Sequence, residues 1–257
     1  MKTMTTLLLA GLIQFGFSSA ALAETDLAKI QSAGVLKIGT EGTYPPFTYH
    51  DASGALTGFD VEIGREVAKR LKVKAEFVEG KWDGLIAGLD AKRYDAVINQ
   101  VSITPERQQK FDFSEPYIAS KGVLIVRSDN TTIKSFEDLK GKKSAHTLTS
   151  NFAQLARSYG AEIVGTDGFN QSVDLVASGR ADATINDNLS YLDFKKHRPE
   201  AKVKIAATQS EAEHSGILLR KGNPELKAAI DKALTELKND GTYQRISQHY
   251  FAADVSK

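Results

Sequence analysis

"RYDAVIN", residues 93–99, returns as "RADATIN", residues 180–186. Arg93, Asp95, Ala96, Ile98 and Asn99 occupy the same frame as Arg180, Asp182, Ala183, Ile185 and Asn186, and a strand-like "AE" plus two apolar residues precedes each copy, at Ala75 to Val78 and Ala161 to Val164. The surroundings repeat too. Before the first copy, "VLKIGT" reads as a buried strand, "GFDVEIGREVAKRLKV" as an amphipathic helix, "KAEFVEG" as a strand and "WDGLIAGLDAKR" as a helix running into the strand "YDAVINQ". Before the second, "GKKSAHTLTS", "NFAQLARSYG", "AEIVGTD", "QSVDLVASGR" and "ADATIND" follow the same order. Strands alternating with helices predict parallel pairing, so the expected fold class is α/β: two similar lobes, each a mostly parallel sheet flanked by helices.

Between the copies, "FSEPYIASKGVLIV" joins polar turn residues to a β-rich run, and "EHSGILLRKG" does the same further on. Both read as extended crossings between lobes, near 118–121 and 208–214. The first lobe then takes residues 24–117 and 212–257, and the second takes 120–209. The tail, "PELKAAIDKALTELKNDG" followed by "TYQRISQHYF", is a pair of helices with Leu226, Ile230, Leu234 and Leu237 on one stripe and Gly241 as a C-cap. It should pack on the first lobe.

Bulk composition narrows the partner. The chain of 257 residues has 33 Lys and Arg against 32 Asp and Glu, a net charge of +1, and no long block of either sign. Nothing in that balance favours a nucleic acid or a membrane surface. At the start, Lys2, the apolar run Leu7 to Phe17 and the Ala21–Leu22–Ala23 cleavage pattern read as a secretory signal peptide over residues 1–23. Zero cysteines exclude disulfides and a lipid-anchored cysteine alike. The expectation is a mature chain from Glu24 that is free in the periplasm, monomeric, and without metal or cofactor.

Ligands of open parallel sheets bind beyond the carboxyl ends of the strands. Four segments qualify: Glu41 to Tyr44, Asn99 to Ser102, Thr147 to Asn151, and Asp187. "SITPER" has Thr104 as N-cap and Pro105 in the first turn, where Arg107 opposes the helix dipole. Arg107 reads as a solvated surface cation or, beside Asn99, Gln100 and Ser102, as a clamp for a carboxylate. "TLTSNFAQLA" opens a helix whose free N–H groups near Ser150 and Asn151 either meet water or receive that same anion. Asp187 is a turn residue or the partner of an ammonium. Arginine on one lobe, aspartate on the other and amides between them fit an α-amino acid zwitterion.

Enzymatic signals are weak. His50, His146, His197, His214 and His249 lack ligand spacing, and no phosphate-cradling glycine loop is present. His146 reads as structural, and Trp82 as a core ring or a cleft wall.

At these residues the chain resembles the periplasmic solute-binding proteins of polar amino acid ABC transporters. "GTEGTYPPF", "LTGFDVEIGREVAKRL", "KRYDAVINQVSIT", "FDFSEPY", "DLKGKK", "GRADA", "LRKGN" and "DGTYQRISQHYF" fall in that family's order across nearly the whole mature chain. "EGTYPPF", "KWDGL", "INQVSIT" and "YFAADVSK" look closest to L-cystine-binding members. The resemblance implies the two-lobed periplasmic-binding-protein-like fold with a two-strand hinge, closing on one amino acid and delivering it to a permease and ATPase in the inner membrane. It makes Arg107 the carboxylate clamp, Asp187 the ammonium acceptor, and Ser102 with the backbone of Asn99 and Ser150 the supporting groups. Tyr44 and Trp82 would sandwich the ligand side chain, with Phe47 packed beneath Tyr44; Glu41, Gln100, Asn151 and Phe152 are further candidates. "SAHTLTS" departs from the family's glycine-rich pattern, which leaves histidine, lysine, arginine, ornithine or glutamine as alternative ligands. A cyclohexadienyl dehydratase on the same fold, with Glu41 or His146 as general acid, and a signalling receptor are the remaining alternatives.

Overall fold

The computed structural model describes residues 25–256. The expected signal peptide lies outside them. Helix α1 (Asp26–Ala33) leads into β1 (Val35–Thr40), and a small antiparallel sheet of β2 (Thr43–Tyr44), β3 (Thr48–His50) and β4 (Leu56–Thr57) follows. Next come α2 (Phe59–Arg70), β5 (Lys74–Glu79), α3 (Trp82–Asp90), β6 (Ala96–Val97), α4 (Pro105–Lys110) and β7 (Phe111–Phe113). The chain crosses through β8 (Ile118–Ser120) into β9 (Gly122–Arg127), β10 (Lys143–His146), α5 (Asn151–Ser158), β11 (Glu162–Gly165), α6 (Phe169–Ala177), β12 (Ala183–Asp187), α7 (Asn188–His197) and β13 (Val203–Thr208). It returns through β14 (Glu213–Ser215) to β15 (Leu218–Arg220) and ends in α8 (Pro224–Asn239) and α9 (Thr242–Phe251).

The two large sheets have the same plan. One runs β5-β1-β6-β15-β7 and the other β11-β10-β12-β9-β13. In each, three strands pair in parallel, with Val35 opposite Lys74 in the first sheet and Lys143 opposite Glu162 in the second, and the last two strands join antiparallel. Parallel pairing is thus confined to the repeated part. The added antiparallel strand beside β6 or β12 is the one the chain forms immediately after crossing between sheets, β15 or β9. The crossings themselves pair antiparallel as β8 with β14, His214 opposite Ala119.

Burial follows the pleat. Along β9, Val123 and Ile125 pack into the cluster built with Phe169 and Val173 of α6, while Leu124 and Val126 pack on the other face with Ala156 of α5. The α8 stripe Leu226, Ile230, Leu234 and Leu237 is buried with Leu36, Ile38, Phe59 and Ile63 in one core of the first sheet.

One junction positions the cleft wall. The first N–H groups of α2 lack intrahelical acceptors, and here the carbonyls of Pro46 and Phe47 accept from Phe59 and Asp60, each at 2.9 Å. The stretch "TYPPF" is thereby tied to a helix end. Gly58 allows it: its φ is 123°, and a Cβ there would come within 2.3 Å of the Phe47 carbonyl oxygen. Phe47 is fully buried and its ring centroid lies 5.3 Å from that of Tyr44, beneath which it was expected.

Candidate functional site

A narrow cavity lies where the carboxyl ends of both parallel sets meet. From the first sheet's side it is lined by Glu41, Tyr44, Trp82, Asn99 and Gln100, and from the second by Thr147, Ser150, Asn151, Phe152, Gly168, Phe169 and Asn186.

The first wall is a set of braced polar groups. Asn99 accepts from the Glu41 backbone N–H at 2.8 Å and from the Thr40 hydroxyl at 3.1 Å, while its Nδ2 donates to Glu41 Oε2 at 2.6 Å. Burial pushes the Glu41 carboxyl up to about 7, which the Asn99 hydrogen bond opposes and Asp83 assists. Gln100 has φ 51°, and both its backbone N–H and its Nε2 donate to Asp60, each at 2.8 Å. Asp60 is fully buried, also accepts from the Tyr117 hydroxyl at 3.0 Å, and is raised by burial to about 7. Trp82 begins α3 and is buried; the Arg107 guanidinium carbon lies 5.4 Å from its ring centroid.

Arg107, Ser102 and Asp187 are not part of the cavity lining. Thr104 caps α4 as expected, accepting from the Arg107 N–H, and Arg107 Nη1 donates to the Ser102 carbonyl at 2.9 Å. Ser102 itself bridges to Ser215 on the return crossing. Burial lowers the Arg107 pKa to about 10, more than the nearby Glu213 and Glu106 restore. Asp187 caps α7: Oδ1 accepts from the Leu189 N–H at 2.8 Å and the Ser190 N–H at 3.4 Å, and Oδ2 accepts from the Ser120 hydroxyl. Even so, burial raises its carboxyl to about 6.

On the second wall Ser150 caps α5, accepting from the Ala153 N–H at 3.1 Å and donating to the Thr147 carbonyl at 3.0 Å. Asn151 Nδ2 donates to Glu213 Oε2 of β14 at 2.8 Å. His146 is buried, shares a 2.7 Å hydrogen bond with Ser144, and is pushed by burial down to about 3.

The two walls touch. The Tyr44 hydroxyl donates to Asn186 Oδ1 at 2.6 Å, Asp83 accepts from the N–H groups of Leu148 at 3.2 Å and Thr149 at 2.9 Å and from the Thr149 hydroxyl at 2.8 Å, and Lys81 meets Asp167 at 2.9 Å. The lobes are closed on each other.

Gly168, Phe169 and Asn186 were not anticipated. Two of them were available from the repeat, because the shift that carries Arg93 onto Arg180 also carries Trp82 onto Phe169 and Asn99 onto Asn186. Each lobe contributes an aromatic from the start of a helix and an asparagine from the end of the strand region that follows it.

A model of the bacterial extracellular solute-binding proteins, family 3, matches residues 36–253. The chain belongs to this family. Among its relatives, the "Probable amino-acid ABC transporter-binding protein" of Haemophilus influenzae is 44% identical over 253 residues, 98% of each chain. The L-cystine-binding protein TcyA of Bacillus subtilis is 47% identical over 231 residues, 90% of this chain and 86% of that one. The solved L-cystine solute receptor of Neisseria gonorrhoeae, unliganded and open, is 47% identical and superimposes with a TM-score of 0.59, covering 90% of this chain and 99% of the other. So similar a pair of sequences shares its lobes, and the modest score fits a different setting of one lobe against the other. Among the described residues of this solute-binding protein, no helix is long and apolar enough to cross a membrane, and no three His, Cys, Asp or Glu gather as a metal site.

Proposed function

We propose that this solute-binding protein captures L-cystine in the periplasm and delivers it to the permease and ATPase of an ABC transporter, performing no chemistry on it. The lobes are assigned to residues 24–117 with 212–257 and to residues 120–209, the hinge is the β8–β14 pair with its flanks, and the mature chain is a free monomer. Arg107 carries the amino-acid part of this reading. Its guanidinium stands against Trp82 of the cavity wall and is under-compensated by the carboxylates around it. An incoming α-carboxylate supplies the missing charge bidentately. Asp187, on the second lobe, is assigned to the α-ammonium, and the α5 amides at Ser150 and Asn151 to the α-carboxylate beside Arg107. The ligand names of the Bacillus and Neisseria relatives support cystine in particular.

A thermal-shift panel of the twenty amino acids plus L-cystine tests the reading, since a ligand bound only by the native state raises the melting temperature by mass action. L-cystine should give the largest shift. A larger shift with histidine, lysine, arginine or glutamine would replace cystine by that ligand, and no shift with any of them would remove the amino-acid reading.

A further inference from the structure

Buried polar side-chain atoms in native proteins almost always have partners. Among the described residues three do not: Trp82 Nε1, Gln100 Oε1 and Ser190 Oγ. Two of the three belong to residues that line the cavity. Both side chains are more than nine-tenths buried, Trp82 at 7% exposure and Gln100 at 9%.

Their orientations are set by what holds them. Only the NH2 end of an amide donates to a carboxylate, so the 2.8 Å bond from Gln100 Nε2 to Asp60 directs the carbonyl oxygen away from that aspartate. The grip is strong enough to keep Gln100 at φ 51°, a left-handed backbone that a non-glycine residue seldom adopts. Trp82 is fixed at the first position of α3 with Arg107 over its ring. An indole nitrogen only donates and an amide oxygen only accepts. Together they call for one acceptor and one donor, the two groups that the head of an α-amino acid carries.

We infer that Trp82 Nε1 and Gln100 Oε1 are a specificity pair that receives the second carboxylate and second ammonium of a two-headed amino acid, the first head being held by Arg107 and the α5 amides. This rests on the cystine reading above. A one-headed amino acid leaves the pair unpartnered, so the site discriminates against it through the cost of stranded buried groups.

The test is calorimetric titration with L-cystine and with S-methyl-L-cysteine, which keeps one head and the sulfur. Trp82→Phe keeps a ring and loses the N–H; Gln100→Met keeps the length and loses the carbonyl, with its melting temperature recorded because the Asp60 contact goes too. Each variant should weaken L-cystine about tenfold or more, and should weaken S-methyl-L-cysteine at least about threefold less than it weakens L-cystine. Unchanged cystine affinity in Trp82→Phe, or equal weakening of both ligands, overturns the pair while leaving the cystine reading intact. A wild-type protein that binds another amino acid but no L-cystine overturns the reading and the pair together.

Discussion

Burial holds three carboxyls at and beneath the cavity above their ordinary range, Glu41 and Asp60 at about 7 and Asp187 at about 6, whereas His146 is held down at about 3. Each raised carboxyl keeps a proton in the native state that the unfolded chain has already released. Its stabilising contribution is therefore full below the unfolded values of 3.8 for Asp and 4.5 for Glu, and is lost as pH rises through the native pKa near 6 to 7. His146 works in the opposite direction. Neutral when native and charged when unfolded, it contributes above 6.5 and loses that contribution as pH falls. Between pH 7.5 and 5 three carboxyls gain while one histidine loses, so the carboxyls outweigh it. The unliganded protein should thus melt at a higher temperature at pH 5 than at pH 7.5, as read by scanning calorimetry, and Asp60→Asn should flatten part of that rise. A melting temperature that falls steadily across the window would show that these groups are more solvated than the packing indicates.

At the scale of elements, the first turn of α3 meets the turn before α5 across the cavity mouth. Asp83 gathers three hydrogen bonds from Leu148 and Thr149, while the neighbouring Lys81–Asp167 pair has side chains 72% and 69% exposed. Asp83 is exposed as well, so solvent screens both sites, but its three hydrogen bonds together hold about 0.7 to 1.4 kcal/mol against less than that for the single flexible ion pair. Asp83→Ala should accordingly speed ligand dissociation by about 3- to 10-fold in stopped-flow measurements, with the association rate little changed, and Lys81→Ala should alter it by less than about 3-fold. Equal effects of the two would mean that charge at the mouth matters more than the hydrogen-bonded turn. Thr149 also gives a physical reason for the sequence "SAHTLTS", because its hydroxyl reaches the opposite lobe. The parallel elements were legible because apolar residues recur at strand and helix periods, as with Phe59, Ile63 and Val67 of α2, all buried. The end of "YDAVINQ" was not. It was expected as strand, but only Ala96 and Val97 pair in the sheet, and the Gln100 N–H goes to Asp60 from a distant helix. The antiparallel setting of β9 and β15 was equally hidden, because strand direction depends on where a crossing lands and not on local pattern. Asp187 illustrates the same limit, since its partner Ser120 comes from the other crossing strand.

For the whole molecule, closure is the event that joins the two walls into a site. The lobes touch directly through Tyr44 with Asn186, Asp83 with Thr149, and Lys81 with Asp167. Two of these three are exposed, and Tyr44 packing on Phe169 and Leu189 packing on the first core add apolar contact, so the lobes themselves supply part of the closed form's stability. A ligand shifts such a balance only by as much as it prefers one state. In the proposed site that preference comes from spanning: Arg107 sits on one lobe, and Asp187 with the α5 amides on the other. Each lobe alone makes half the contacts. Small-angle scattering should therefore show the radius of gyration of the wild-type protein falling toward about 17 Å, the value for a compact chain of this size, when L-cystine is added. Arg107→Ala removes a charge-assisted pair of about 1.5 to 3 kcal/mol and strands the carboxylate. It should keep its fold by circular dichroism, bind at least about tenfold more weakly, and stay expanded at a cystine concentration that closes the wild type. If that variant compacts as readily as the wild type, closure is driven by the contacts between lobes and not by the clamp.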